Sequence, residues 1–522
     1  MSEFSSLNGY KVKDKKAVRF YDTVADMKAD TTLKDGMYVK TKGYYSVNDG
    51  GTSEYYVTSI ENLTLYHESL NNGLYATLLI EDVMNIKQFG AYGDGETDDT
   101  TSLQNAINIS NYVFIPDGVY CISTSLKVKT NLIIEGNNVL TSIIKALDDI
   151  SIFENNTSAN YLTIKNLKLE TEETSTKYAI NIEGSTTSPY TGATYSTFEN
   201  IYIDGFDSGI FLNHIWNTSL NKIRINNSND KGIFLGGGCN NVEINMPMLE
   251  HLTQGIRITT SDGDSVQNTN ITINNADIEY CTTGIYSYNN ETVSINNLYS
   301  EHNDLVVYSF GTKGLKIDGF FSSFDTKFGE IISSKTKISN GFIRLNSNND
   351  IGIISSSEYI DINNISGANN GTGKIFNIVT DVNSYIPLIY STLPYNIESE
   401  SFRLRYSSDN YNGVFNSNEN NGNQYSCYKP CLQITSNDLT ATSGDQIQLK
   451  RNGVTVATLS INSGASLNKN DILEFTASNT NAKNFIYQNG DTYEITHTNT
   501  TGVDVNFKVV FRNVKVGKFI IN

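Results

Sequence analysis

A short phrase recurs through the middle of the chain, and this repeat limits the possible folds more than any other feature of the sequence. Each copy contains an apolar residue, a variable residue, an isoleucine and then Asn or Asp, which Asn or Gly often follows. The copies begin at Ile201, Ile223, Val242, Ile271, Val293, Leu315 and Ile360, with a looser copy at Lys337. The isoleucine of each copy lies 19 to 29 residues after the previous one, and the most frequent step is 22 residues.

A period near 22 residues with short alternating strands predicts a β-solenoid. One coil cannot bury its apolar face alone, so stacked neighbours build a continuous core. The alternating isoleucines face inward, and the residue between them faces solvent. The Asn or Asp after the isoleucine is expected at a turn, because these residues tolerate left-handed backbone geometry and bond their own backbone. Stacked turns should then form an Asn ladder, and we interpret Asp204 and Asp318 as structural members of it.

The segment ahead of the repeat, Phe89 to Ile107, reads FGAYGDGETDDTTSLQNAI. A glycine-punctuated turn leads into Asp98, Asp99 and Thr100, which can serve as helix N-caps, and an apolar pattern of helical period follows. A buried-strand signal at 112–115 and a PDGVY turn at 116–120 come next. The order is therefore an extended segment, a capped helix, a strand and a turn.

Both motifs, GAYGDGETDDT and PDGVY, closely resemble the entry into the right-handed β-helix of the pectate-lyase-like superfamily, as used in phage tailspikes and appendage depolymerases. The resemblance implies an all-β fold, a right-handed parallel β-helix (β-solenoid) with a small N-terminal adaptor domain and a C-terminal β-sandwich. It also implies a homotrimer in the virion, joined to phage tail or baseplate proteins through its N-terminal region. The expected place of action is a bacterial surface glycan.

Composition agrees with an all-β chain, because β-branched and turn-forming residues abound while prolines are few. The net charge of −18 argues against a nucleic-acid partner. No apolar run is long enough for a membrane span, and the start has no features of a secretory signal. Five scattered cysteines form no disulfide framework. No metal-binding or cofactor-binding fingerprint is visible, so we expect neither a metal nor a cofactor.

The sequence divides into four regions. Residues 1–83 combine a polar start with two β-like runs around a glycine-rich turn, which predicts a small hairpin domain that resembles a virion adaptor. Residues 84–395 form the β-helix, with a capping helix at about 99–110. Residues 396–430 are a connector. Residues 431–522 contain short strands and turn signals typical of a β-sandwich, which in tailspikes promotes trimerisation or binds carbohydrate.

The candidate chemistry lies six positions after the repeat isoleucine. This position holds Lys231, Glu250, Glu279 and Glu301 in four consecutive coils. If the third and fifth positions face the core, a column of three glutamates faces solvent, with Asp277 beside it and Lys231 at one end. Stacked like charges should raise the pKa of at least one carboxyl group, as a general acid requires.

The distance between neighbouring coils bears on which hydrolytic mechanism the glutamates could support. Neighbouring coils lie about 4.8 Å apart, near the roughly 5 Å between the carboxyl groups of a retaining glycosidase. Glu250 and Glu301 are two coils apart, near the roughly 6.5–9.5 Å of an inverting pair. The sequence leaves both options open.

Ring-bearing residues surround this column and are candidates for substrate binding. They are His251, Tyr280, Tyr299 and His302, to which Lys231 is added as a cation. The alternative is that the histidines are turn or core residues and the glutamates are simply solvated. Like charges stacked on adjacent strands are mildly destabilising, however, so three in register favour a function.

The leading hypothesis is a phage tailspike that binds and depolymerises a capsule, an exopolysaccharide or a teichoic-acid-like polymer by carboxylate-pair glycoside hydrolysis. One alternative is a polysaccharide lyase acting on a uronic acid, with His251, Tyr280 or Lys231 as its base. The other alternative is a receptor-binding fibre without catalysis, in which the β-helix serves as a rod and an adhesion surface.

Overall fold

The structure is a computed structural model, and it is an all-β chain whose centre is a β-solenoid of about 13 turns. The predicted solenoid is therefore confirmed. Residues 18–344 are described in full apart from 62–64, 156–157, 173–174, 185–192, 261–265 and 334. Outside that range the description covers the backbone of the strands named below and side chains in parts of 440–473. The chain separates into two compact units, residues 1–229 and 230–522.

The first unit begins with a five-stranded sheet. Strands Tyr38–Thr41 and Ser53–Thr58 pair in antiparallel fashion around the glycine-rich segment, as the sequence predicted for a hairpin. Helix Val24–Ala29 starts at a capping box between Thr23 and Asp26. The remaining strands ahead of the solenoid are Ser6–Leu7, Tyr10–Lys11, Arg19–Tyr21, His67–Ser69 and Tyr75–Leu78. No helix among the described residues is long and apolar enough to cross a membrane.

Helix Thr100–Ile109 lies where the sequence predicted a capping helix. The predicted role of Asp99 as its side-chain cap is wrong, because this carboxylate makes no hydrogen bond to the helix. Asp99 is buried and instead accepts hydrogen bonds from the backbone N–H groups of Tyr92, at 2.6 Å, and Gly93, at 2.9 Å. Asp99 therefore organises the glycine-rich turn, while the neighbouring Asp98 accepts from the N–H of Thr100.

Parallel strands wind through both units. In the first unit the solenoid elements are strand Met84–Asn85, the 3-10 helix Ile86–Phe89, and strands Asp94–Asp98, Tyr112–Ile115, Gly118–Ile122, Leu126–Val128, Ile133–Gly136, Ser142–Ala146, Phe153–Asn155, Thr163–Thr171, Tyr178–Glu183, Thr197–Asp204, Ser208–Asn213 and Trp216–Asn226. In the second unit one sheet contains Asn240–Asn245, Met248–Glu250, Thr269–Asn274, Asp277–Glu279, Thr292–Glu301, Gly314–Ser323, Lys335–Leu345 and Tyr359–Asn369. Its other parallel sheet contains Lys231–Leu235, Gln254–Ile258, Thr283–Tyr288, Leu305–Phe310, Lys327–Ile332, Ile351–Ser355 and Lys374–Ile378.

The repeat isoleucines stack in register. Ile244 pairs with Ile273, which pairs with Ile295 in the next coil, and each is at most 1% exposed. Ile295 pairs in turn with Ile317. Burying each such side chain contributes about 1.5–3 kcal/mol. The repeat phrase is therefore the core of the solenoid, as the alternation predicted.

Single residues in left-handed geometry make the bends between strands. Met246, Asn275 and Asn297 have φ values of 52–55°. The prediction placed this geometry on the Asn or Asp directly after the isoleucine, which is one residue too early. That residue still pairs in the parallel ladder, as Asn245 does with Asn274, so only the following residue is released to turn.

The predicted Asn ladder is present on these ladder residues. Asn274 donates its side-chain N–H to Asn245 Oδ1 at 2.8 Å, and Asn296 donates to Asn274 Oδ1 at 2.9 Å. Asp204 and Asp318 accept hydrogen bonds from the side chains of the bend residues Asn227 and Asn340 in their next coils. Both aspartates are therefore structural, as predicted.

A second, buried ladder ends on a carboxyl group. Asn303 donates its side-chain N–H to the backbone oxygen of Ile278 in one direction, at 2.9 Å. In the other direction, its backbone and side-chain N–H groups donate to Asp325 Oδ1 at 2.7 and 2.9 Å. The hydroxyls of Ser300 and Ser322 donate to Asp325 Oδ2 at 2.8 and 2.7 Å. Asp325 is 1% exposed, so it is a buried carboxyl group with four donors.

On the second parallel sheet, a glycine precedes the buried isoleucine in three successive coils, at Gly232, Gly255 and Gly284. A Cβ added to Gly232, Gly255 or Gly284 would lie 2.5–2.8 Å from the backbone oxygen of the next coil. Coils separated by about 4.8 Å leave no space for a methyl group at this point.

We expect Gly255→Ala to destabilise the second unit by about 1–3 kcal/mol, because the new Cβ meets the Gly284 oxygen at 2.6 Å and the backbone must shift. The free energy of unfolding by denaturant measures this cost. Gly314→Ala is the matched control, since its Cβ would meet only atoms at 3.3 Å or more, and it should change stability by less than about 1 kcal/mol. Equal stability of the two variants would contradict the steric account.

The C-terminal strands pair in antiparallel fashion, which separates them from the parallel coils. They are Thr392–Leu393, Ser399–Phe402, Tyr425–Ile434, Leu439–Thr440, Asp445–Arg451, Val454–Ile461, Ser466–Leu467, Ile472–Glu474, Thr476–Ala477, Tyr493–His497 and Phe507–Val516. Strand Thr392–Leu393 lies ahead of the predicted connector and pairs with Phe507–Val516. Strand Ser399–Phe402 lies within the connector and pairs with Tyr493–His497. Most of the connector, 396–430, falls outside the described residues.

Candidate functional site

The three glutamates of the predicted column lie in register on neighbouring strands. Glu250 pairs with Glu279, and Glu279 pairs with Glu301. The side chains of Leu249 and Ile278 on the same strands are fully buried. Because side chains alternate along a strand, the glutamates face outward as one column, and all three are half-buried. The predicted placement of these glutamates is confirmed.

Asp277 lies two residues before Glu279 on the same outward face. Burial raises the pKa of the Glu279 carboxyl group, and the charges of Asp277, Glu301 and Glu250 raise it further. The pKa of Asp277 is also raised, first by burial and then by Glu250. This is the shift expected of stacked like charges.

Asp277 Oδ1 is buried and has no hydrogen-bond partner among the described residues. A buried carboxylate oxygen without a donor is costly in its charged form, in line with the raised pKa of Asp277. The environment of Asp277 and Glu279 therefore favours the protonated form of both carboxyl groups relative to free side chains.

Glu301 has a different environment. The hydroxyl of Tyr299 donates to Glu301 Oε2 at 2.7 Å, and His302 Nε2 lies 3.6 Å from Glu301 Oε1. The bond to Glu301 is the main cause that raises the pKa of Tyr299 to about 12. Tyr299 is therefore a hydrogen-bond donor throughout the neutral range and orients the carboxyl group of Glu301.

A column of stacked rings borders the glutamates at the next bend. His251, Tyr280, His302 and Phe324 have φ values of 54–60°. Successive ring centroids lie 4.9, 4.9 and 5.2 Å apart, with nearly parallel planes. Both histidines therefore lie at a turn and not in the core, and their contact with substrate stays a prediction. We call these four residues the bend column.

A second column of rings begins at Tyr299, on the strand that carries Glu301, and continues through the next two coils. Tyr299, Phe321 and Phe342 stack with centroid separations of 5.8 and 5.4 Å. We call these three residues the strand column. Asp277 precedes Tyr299 in the same register, so the acidic cluster lies at one end of this column. Because the rings of each column stack on one another, the columns present apolar ring edges along their length, against which sugar rings can pack.

Sequence reasoning missed Phe321, Phe324, Phe342 and Arg344. The signal was present in the sequence. Counted from Ile317, the fourth and seventh positions are Phe321 and Phe324, and counted from Ile338, the fourth and sixth are Phe342 and Arg344. The count stopped at Glu301 because no carboxylate follows it in the column.

The predicted position of Lys231 at the end of the glutamate column is wrong. Lys231 starts a strand of the other parallel sheet, where it pairs with Gln254 and forms an ion pair with Asp230. The step to the next repeat is only 19 residues here, and no strand corresponding to Met248–Glu250 lies between Asn226 and Lys231. Counting a fixed number of residues from the isoleucine therefore reaches the wrong sheet in this coil. Lys231 is not part of the site proposed below.

No group of three or more His, Cys, Asp or Glu side chains within the described part of the chain is placed to hold a metal ion.

Comparisons with known proteins agree with this architecture. A family model described as rhamnogalacturonase A/epimerase, pectate lyase-like, matches residues 83–178. A pre-neck appendage protein of Bacillus phage B103 is 34% identical over 113 residues, which are 20% of this chain and 12% of that protein. Alginate lyase 7 of Azotobacter vinelandii is 37% identical over 76 residues, which are 12% of this chain and 9% of that protein. The gp42 tailspike of Acinetobacter phage vb_AbaP_AS12 has a TM-score of 0.54 at 13% identity, over 91% of this chain and 96% of that chain.

These matches confirm the resemblance to phage appendage and tailspike proteins with a pectate-lyase-like β-helix. The likeness to the tailspike structure shows a shared fold. The chain spans only 11–12% of the length of the phage appendage proteins that it matches.

Proposed function

We propose that this chain is a phage tail protein that binds a bacterial surface polysaccharide and cleaves it by glycoside hydrolysis. The observation that carries the proposal is the column Glu250, Glu279 and Glu301 with Asp277 beside it, in register and flanked by two columns of stacked rings. The names of relatives, a pre-neck appendage protein and a tailspike, support a place in the phage tail. Adaptor function for residues 1–83 and assembly as a homotrimer belong to the same proposal.

Glu279 is the proposed general acid. Its raised pKa keeps a proton that it donates to the glycosidic oxygen as the bond to the anomeric carbon breaks. Glu301, oriented by Tyr299, is the proposed nucleophile and attacks the anomeric carbon. Neighbouring strands are about 4.8 Å apart, which matches the roughly 5–5.5 Å between carboxyl groups of a retaining enzyme. Glu279 then takes a proton from a water whose oxygen attacks the anomeric carbon, and the bond from that carbon to Glu301 breaks, which frees the carboxylate of Glu301.

The other candidate residues have supporting roles in this proposal. Asp277 and Glu250 hold the proton on Glu279 through their charges. His251, Tyr280 and His302 are proposed to bind sugar rings along the bend column, and Tyr299 does so on the strand column. We expect the polymer to lie along the solenoid axis, between the two columns.

The products of purified protein acting on surface polysaccharide from candidate host strains test this function. Hydrolysis gives oligosaccharides with one added water and a new reducing end, which mass spectrometry detects. Fragments that lack the water and absorb in the ultraviolet would show a lyase, the reaction named for the alginate lyase relative. Binding without fragments would leave only the receptor-binding function.

Asp277→Asn should shift the pH dependence of cleavage. The charge of Asp277 raises the pKa of Glu279, so removing that charge lowers this pKa. A general acid is active below its pKa, so the alkaline limb of kcat/KM should move to lower pH, while the activity at acidic pH should change less. A pH profile of kcat/KM measures the shift. An unchanged or higher alkaline limb would contradict the role of Glu279 as the acid.

A further inference from the structure

The outward column continues beyond the glutamates, and its charge changes sign. Glu301 pairs with Ser323, and Ser323 pairs with Arg344. Two coil spacings of about 4.8 Å separate the strand positions of Glu301 and Arg344, roughly 10 Å in all. A disaccharide spans this distance along an extended polymer.

The guanidinium of Arg344 is held between the two columns of rings. Its central carbon lies 5.8 Å from the ring centroid of Phe321 and 5.7 Å from that of Phe324. These rings belong to the preceding coil, on either side of Ser323, whose small side chain is 2% exposed. Cation–π contacts fix the position of a guanidinium without neutralising its charge or occupying its N–H donors.

The side chain of Arg344 has no carboxylate partner among the described residues, and those two ring contacts are its interactions there. This is unusual in a chain of net charge −18. Arginine forms short, bidentate hydrogen bonds with planar carboxylates and with phosphates. A positioned guanidinium whose donors have no partner among the described residues, in line with the proposed cleavage site, is suited to bind an anionic group of the substrate.

We propose that Arg344 is a specificity-determining residue, which binds a carboxylate or phosphate group of the polysaccharide about one disaccharide away from the bond cleaved at Glu279 and Glu301. The inference rests on the proposed function and names its substrate class. An anionic sugar at the glutamates would be repelled by three carboxyl groups and Asp277, so the sugar there is neutral. The substrate is therefore a heteropolysaccharide whose repeat combines neutral and acidic units, and a homopolymer of uronic acid is excluded.

The test uses a bacterial-glycan array that carries neutral repeats, mixed acidic repeats with carboxylate or phosphate groups, alginate and polygalacturonate. Labelled Glu279→Gln protein is the probe, so that bound glycans are not consumed. We expect it to retain mixed acidic repeats and to ignore the two uronate homopolymers. Arg344→Gln in the same background should lower the affinity about 10- to 100-fold, the value of a charged hydrogen-bonded contact. Arg344→Lys should restore part of the loss.

Arg257→Gln is the matched control. Arg257 is also held between two rings, Phe234 and Tyr286, but it lies on the other parallel sheet. This variant should bind the array as the parent does. Retention of carboxylated glycans, phosphorylated glycans or both identifies the anion. Three results would overturn the inference. The Arg344→Gln variant could bind as well as its parent, the parent could retain only neutral or homopolymeric glycans, or it could retain no glycan.

Cleavage by the otherwise wild-type chain separates this inference from the proposed function. For a polymer that is cleaved, Arg344→Gln should raise KM about 10-fold or more with little change in kcat. Fragments released equally by both forms would overturn the role of Arg344 and leave the enzyme. Arg344-dependent binding with no fragments from any glycan would overturn hydrolysis and leave the anion site.

Discussion

Glu279→Gln is expected to reduce the rate of polysaccharide cleavage by about 10²- to 10⁴-fold, the usual contribution of a positioned general acid. Glutamine has nearly the shape of glutamic acid but cannot donate a proton to the leaving oxygen. Glycan binding should remain, because the ring columns are unchanged. The initial rate of fragment release, measured by reducing ends, checks the prediction.

Two comparisons make this result specific. Glu243→Gln is the matched control, since Glu243 is an exposed glutamate of the same coil as Glu250 but lies outside the column, and it should cleave at the wild-type rate. The stability of the Glu279→Gln protein should be unchanged or higher, because glutamine keeps the shape of the neutral acid and removes a carboxyl group whose ionised form is disfavoured at this site. A Glu279→Gln variant that cleaves within a few-fold of wild type would contradict the assigned acid. Lower stability would instead indicate a structural role for Glu279.

Asp325→Ala is expected to have the largest effect on stability, a loss of about 2–5 kcal/mol. The alanine leaves the backbone and side-chain N–H groups of Asn303 without their acceptor inside the solenoid. The hydroxyls of Ser300 and Ser322 lose their acceptor as well, although a hydroxyl can rotate to another one. Denaturant unfolding followed by circular dichroism measures the loss.

Asp325→Asn is the matched control and also gives a pH dependence. Asparagine keeps one acceptor for Asn303 and continues the amide ladder, so the loss at neutral pH should be much smaller than for alanine. Burial raises the pKa of Asp325 in the folded chain, which favours its protonated form there. Wild-type stability should therefore fall as pH rises from the unfolded pKa to the higher folded pKa, and the Asn variant should lack this fall. An Asn variant as unstable as the Ala variant would show that the charge itself, and not the acceptor, holds the ladder.

Much of the site could be predicted because a solenoid repeats its geometry. Once the isoleucines of the phrase are aligned, side-chain alternation dictates that Glu250, Glu279 and Glu301 face outward in one column. The same regularity reaches Phe321 and Arg344 when the count is carried further. The prediction failed for Lys231. Counting residues assumes that every coil contains the same strands, and the coil before the one with Glu250 lacks one of them.

The sequence by itself determined the solenoid, its period, its core and the order of residues within each coil. These follow from alternation and stacking, which depend only on residue spacing. The tertiary structure alone decided that the pKa of Glu279 is raised, since this pKa depends on burial and on charges from three strands. It also decided that Asp99 binds the glycine-rich turn, that Asp325 ends a buried ladder, and that Arg344 lies between two rings. Such contacts join residues of different coils, and their distances exist only after the coils have stacked.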